Sequence, residues 1–170
     1  MSNLLNRALY DAAAMVFEEL GFMLTNPELE DQQIVLPVQA AVMVSFHGPL
    51  EGALLITVFG DLLPTLTANM LGEDDTTERQ QWDALGEIAN VICGNLLPAI
   101  AGLKAVFKLA PPVARSGAWQ DGAQAWAPEQ EVAQAQVGLE DGRADVILLI
   151  NGGPKCLPER YHDAPAEGQT

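Results

Sequence analysis

The sequence predicts an α+β fold, a two-layer α/β arrangement with helices packed on a mainly antiparallel sheet. Three observations carry that expectation. Two pairs of strand-like runs, at 34–59 and 131–150, are each joined by a tight turn, and hairpins make neighbouring strands antiparallel. Two segments, 4–20 and 78–101, repeat apolar residues at helical spacing. The order helix, short strand, strand hairpin occurs once in each half, so two pseudo-duplicated halves are expected. The helix at 61–71 lies between them, unpaired.

Each element has a local reason. In the first helix Leu5, Leu9, Ala13, Val16, Phe17 and Leu20 share a face, and Gly21 follows as a stop. Phe22 to Thr25 reads as a short strand. Asn26-Pro27 and the acidic run Glu28 to Asp31 read as a loop. Ile34 to Phe46 is rich in Val and reads as a long strand, with Pro37 near its start, where a sheet tolerates proline best. His47-Gly48-Pro49 turns the chain into a second strand, Leu50 to Phe59. Asp61 starts a helix that Gly72 ends. After the polar loop Glu73 to Thr77, Thr76 or Thr77 caps the long helix 78–101. Lys104 to Leu109 reads as a short strand ending at Pro111-Pro112. Glu131 to Leu139 and Arg143 to Ile150 form a hairpin across Glu140-Asp141-Gly142. Between them, Trp119 and Trp126 bracket a Gly- and Gln-containing stretch with two open readings. One is a strand–turn–strand whose rings cover the sheet. The other is an exposed aromatic contact surface. Residues 1–150 are expected to form one domain, and 151–170 a flexible polar tail.

Composition narrows the function. The 170 residues are 49% apolar and 18% charged, which is globular and not disordered. Lys+Arg 8 against Asp+Glu 23 gives a net charge of −15. Such a chain repels phosphate backbones and anionic membrane surfaces, so neither nucleic acid nor membrane is an expected partner. No uninterrupted apolar run approaches the ~18 residues of a membrane span. The N-terminus does not read as a signal peptide, because Asp11, Glu18 and Glu19 interrupt its apolar face. Cys93 and Cys156 are far apart and form no CxxC; Cys93 reads as a small core residue. His47 and His162 have no ligand partners nearby in sequence. A cytoplasmic protein with no metal or cofactor of its own is expected.

The chemistry concentrates in the segment Gln81 to Asn95. At ~100° per residue, Asp83, Glu87 and Asn90 fall within ~60° of one another and form one polar stripe. Trp82, Leu85, Ala89, Ile92 and Leu96 are assigned to the opposite, core-facing stripe. The small residues Ala84, Gly86 and Gly94 near the polar stripe allow close approach by another protein. A carboxylate there can pair with a cation. An amide can both donate and accept, and so can hold a water in a fixed orientation. Orienting the nucleophilic water is one of the few tasks that phosphoryl transfer leaves to a protein group. Read from periodicity alone, the same residues also fit the plain wet face of an amphipathic helix. No Ser/His/Asp or Cys/His set and no Gly-rich phosphate loop is visible, which argues against a small-molecule enzyme.

The stripe Asp83-x3-Glu87-x2-Asn90 resembles the signature of the CheC/CheX/FliY phosphatases, which continues to a proline at a slightly longer interval than Pro111 and Pro112. The Gly94-Asn95 continuation, the run Ala68-Asn69-Met70-Leu71-Gly72-Glu73, the strands from Gly48 to Val58 and the opening Val16-Phe17-Glu18 resemble CheX sequences in particular. The resemblance spans roughly residues 10–150.

It implies a phosphatase of phosphorylated CheY-like receiver domains. Glu87 would contact the partner's lysine beside its phosphoaspartate. Asn90 would orient the attacking water. Asp83 would assist docking, and Pro111 or Pro112 would be structural. Mg²⁺ would belong to the partner receiver domain, and a homodimer is expected. CheC carries the motif in both halves; here the first helix offers Asp11-x3-Met15-x2-Glu18, which lacks both the acid and the amide, so one site is expected. The alternative function is a non-catalytic binding or scaffold module for a receiver domain. A third is a structural part of a flagellar switch complex, which the intact Glu87/Asn90 pair disfavours. Because a receiver's own site is acidic, docking needs the acids at 28–31, 73–78 and in the tail to lie off the docking face, or a regulator with a basic docking helix.

Overall fold

A computed structural model describes residues 3–119 and 126–162. The chain opens with α1 (Asn3–Glu19), which buries Leu5, Leu9, Ala13, Val16 and Phe17. Gly21 follows, but the left-handed turn is made by Phe22 at φ 51°. Gly21 is needed for space: a Cβ there would lie 2.6 Å from Leu66 Cδ1 and 2.7 Å from the Phe17 carbonyl oxygen. β1 is short (Thr25–Asn26).

The strand expected from Ile34 starts later. Residues Asp31–Ile34 form a helical turn, α2, because the Gln33 side chain accepts the Glu30 N–H at 2.8 Å and closes the turn. β2 (Val38–His47) begins only after Pro37, which has no donor for a ladder. Arg143 fastens α2 to the sheet. Its guanidinium donates to the carbonyls of Gln33 at 2.6 Å and Ile34 at 2.7 Å, and stacks on Phe59.

β3 (Gly52–Gly60) leads to α3 (Leu63–Leu71), which ends at Gly72 with φ 69°. Asp61 does not cap α3. The Gln39 side chain, remote in sequence, accepts the N–H groups of Leu62 at 3.1 Å and Leu63 at 3.2 Å. α4 (Glu78–Ala101) starts as expected from Thr77, whose hydroxyl accepts the Gln80 N–H while the Gln80 side chain accepts the Thr77 N–H. By length and composition α4 could cross a membrane, with mean hydropathy 1.4 over its best window, yet 56% of that window is buried in this fold.

The strand expected at Lys104 to Leu109 shrinks to β4 (Lys108–Leu109), and the chain does not end its pairing at the prolines. β5 (Val113–Ser116) resumes on the same neighbour, so β4 and β5 are two pieces of one edge of β2. β6 (Glu131–Leu139) and β7 (Gly142–Ile150) complete the sheet through a two-residue turn.

Among the described residues the sheet has seven strands in the order β1-β6-β7-β3-β2-β4, with β5 also on β2, and every pair is antiparallel. Exchanging the two halves of the chain maps this order onto itself reversed. The centre of that exchange is Ile56 opposite Val146. Around it, α1 packs on β6 as α4 packs on β2, and the two helices touch. The row Val42, Ile56, Val146, Ala135 and the rows flanking it face the helices and form the core. The alternate residues face away; Met43, Thr57 and Asp145 there are half-buried and Gln136 is exposed, while Ala41, Leu55 and Leu149 are buried.

Two further expectations change. Residues 151–162 do not behave as a flexible tail: Leu157 and Tyr161 join the core, and Arg160 donates to the carbonyls of Ala99 and Ile100 at the end of α4. The apolar pair Leu157 and Tyr161 is what a reading by Gly, Pro and charge content overlooks. Of the two-tryptophan stretch, 120–125 lie outside the described residues, as do 163–170. Trp119 carries the Arg115 guanidinium 3.9 Å above its ring, and Trp126 donates to Glu131 at 2.9 Å. Trp126 also lines a shallow groove on the helix-free face beside Met43 and Ser45.

Candidate functional site

α4 carries the site. Leu85, Ile88, Ala89 and Ile92 are fully buried against the sheet, and this fixes the rotation of the helix. Asp83, Glu87 and Asn90 are thereby turned outward along ~10 Å of helix, at 1.5 Å rise per residue. Asp83 and Glu87 are exposed and Asn90 is half-buried. All three line a single groove of about 720 Å³, whose far wall is Pro112 and Ala114 at the start of the β5 edge.

Gly86 sets the width of that groove. It is buried, and a Cβ on it would stand 3.1 Å from Pro112 Cβ and 3.3 Å from Pro112 Cγ. Glycine thus lets the proline wall lean against the helix between Asp83 and Glu87. Gly94, the other small residue of the stripe, faces open space. Pro111 is exposed and Pro112 is the proline in the groove.

Four lining residues, Glu78, Arg79, Trp82 and Ala114, lie outside the site that the sequence predicts. Trp82 was assigned to the core stripe, but it is half-buried and lines the groove. Residue 82 lies only ~40° from residue 86 on a helical wheel, which puts it on the groove side. Glu78 and Arg79 lie one turn earlier, and extending the stripe backwards by the helical period would have found them. The acidic run 73–78 therefore reaches the groove rim at Glu78, with Arg79 beside it.

The side chains of Asp83, Glu87, Asn90 and Arg79 have no hydrogen-bond or ion-pair partner among the described residues. Unpaired acids, an amide and a cation along one open groove suit recognition of another protein's surface, because each can still form a full-strength contact. No three His, Cys, Asp or Glu side chains gather as a metal-ligand set among the described residues. The Cys93 thiol, buried in α4, is pushed up to about 12 by burial, which disfavours the nucleophilic thiolate.

Comparison with known proteins points the same way. The family model described as chemotaxis phosphatase CheX matches residues 40–124, half of the chain, and that span includes the whole of α4 and Pro112. No curated protein matches the chain in sequence. Among solved structures, a chemotaxis protein CheX from Desulfovibrio desulfuricans aligns over 86% of this chain and 99% of its own, with TM-score 0.65 and 16% identity. CheX from Vibrio vulnificus aligns over 86% and 95%, with TM-score 0.63 and 19% identity. A CheX-CheY-BeF3-Mg²⁺ complex from Borrelia burgdorferi aligns over 85% and 96%, with TM-score 0.59 and 19% identity. At these identities the structures establish a shared fold. With the family model covering half the sequence and the fold agreeing over 85–86% of the chain, the chain belongs to the CheX family within the CheC/CheX/FliY group.

Proposed function

We propose that this chain is a phosphatase that accelerates hydrolysis of the phosphoaspartate of a CheY-like response regulator. The observation that supports it best is the uncommitted trio Asp83, Glu87 and Asn90 on one face of α4, beside the Gly86–Pro112 contact. In the reaction a water oxygen attacks phosphorus, the bond from phosphorus to the aspartate oxygen breaks, and free carboxylate and inorganic phosphate result. Asn90, donor and acceptor at once, holds that water in line. Glu87 pairs with the lysine beside the phosphoaspartate and sets the depth of insertion. Asp83, exposed one turn before Glu87, contributes to docking. Mg²⁺ belongs to the receiver domain, where it neutralises phosphoryl charge.

On this reading the chain works in the cytoplasm as a homodimer, and sedimentation at micromolar concentration distinguishes dimer from monomer. The function is tested by the decay of phosphorylated CheY-like receiver domains with and without the protein. Accelerated decay supports it. Saturable binding with unchanged decay assigns the chain instead to the sink or scaffold class.

A further inference from the structure

We propose that α1 carries a second groove that docks the same receiver domain without catalysing its dephosphorylation. The inference rests on the docking role proposed for α4. It starts from the exchange of halves centred on Ile56 and Val146, which places α1 where α4 stands. α1 flanks a groove of about 740 Å³ on its own outer side. Its helix-borne wall consists of residues 6, 7, 10 and 11, and adding 72 to each gives 78, 79, 82 and 83, four of the residues that line the α4 groove.

The chemistry repeats as well as the position. Arg7 answers Arg79, Tyr10 answers Trp82 and Asp11 answers Asp83, whereas neutral Asn6 stands for Glu78; a proline, Pro27 or Pro112, lines each groove. A surface whose charges complement Arg79 and Asp83 also complements Arg7 and Asp11, because both pairs sit one helical turn apart in the same order. The reacting positions do not repeat. Exposed Met15 stands for Glu87, and Glu18 stands for Asn90. Glu18 is also engaged, since it accepts a hydrogen bond from Thr25 and so ties α1 to β1. The far wall differs too: β5 backs the α4 groove, while the α1 groove opens onto β6. Asn6 takes the Gln134 N–H at 2.9 Å, so an added strand would find one donor fewer on this edge of β6.

The test is binding stoichiometry, with CheY-like receiver domains held active by BeF3⁻ and Mg²⁺ as the probe. Calorimetry of the full chain is expected to give two receivers per chain. Asp11→Arg reduces this to one and leaves the dephosphorylation rate unchanged. In a second experiment, Met15→Glu with Glu18→Asn in an Asn90→Ala chain regains at least 10-fold in rate, and adding Arg7→Glu removes the gain. One receiver per chain, unaffected by Asp11→Arg, overturns the second groove while leaving the α4 reading intact. Dimerisation that Asp11→Arg abolishes also overturns it, by assigning the groove to a second copy. Failure of the wild-type chain to speed decay strikes the α4 reading instead.

Discussion

Gly86 lies against Pro112 so closely that a Cβ on Gly86 would stand 3.1 Å from the proline Cβ. The contact ties the middle of α4 to the β5 edge, and it occurs between the two acids of the polar stripe. Gly86→Leu is expected to push Pro112 outward and to destabilise the fold by ~1–3 kcal/mol, the range for overpacked sites. Pro112→Ala in the same chain should recover part of that loss. Urea denaturation of the single and double variants reads this directly, and additive effects would show that the two residues are not coupled.

Glu87→Ala is expected to weaken receiver binding ~10-fold or more, as loss of one partner of a close charge pair does. Turnover falls with it. Raising the salt concentration should weaken the wild type more than the variant, because screening acts on the charge that the variant lacks. Binding isotherms at two ionic strengths decide the matter.

Gln39→Leu removes the acceptor shared by Leu62 N–H and Leu63 N–H, and Leu62 and Leu63 are buried. A cost of ~1–3 kcal/mol is expected from unsatisfied buried donors. Thr77→Ala, at the start of α4, should cost ~1 kcal/mol as an ordinary lost cap. Thermal melts that rank Thr77→Ala as the more damaging would contradict the view that α3 depends on its remote cap.

Burial raises the Cys93 thiol from its ordinary 9.0 to about 12. The folded state therefore holds this proton after the unfolded chain has released it. The stabilisation is complete below pH 9 and is lost as pH rises from 9 towards 12, at ~1.4 kcal/mol per pH unit for one proton. Cys93→Ala should flatten this alkaline slope. At pH 8 a thiol reagent should modify exposed Cys156 alone in the native protein and both cysteines in denaturant.

The parts of the fold that local patterns govern were legible in the sequence. The Thr77 cap, the two hairpins and the burial phase of α4 follow from residues within a few positions of each other. The misplaced parts depend on distant residues. Gln39 caps α3 from another strand. β5 forms because β2 offers it an edge, which nothing in Val113 to Ser116 announces. Residues 151–162 pack because Tyr161 and Leu157 find the core, and Arg160 finds the open carbonyls of α4. At the site, Asp83, Glu87 and Asn90 were readable as a stripe by spacing alone. Trp82 was not, since its apolar bulk pointed to the core while its helical phase pointed to the groove.

The central claim is that Asn90 orients the attacking water. It is tested most directly by phosphate release from a phosphorylated CheY-like receiver domain with wild-type protein and with Asn90→Ala, alongside binding of each. The account predicts a rate loss of ~10²-fold or more, the scale for removing one positioned transition-state group, with binding nearly unchanged. An Asn90→Ala variant that retains full activity would contradict it.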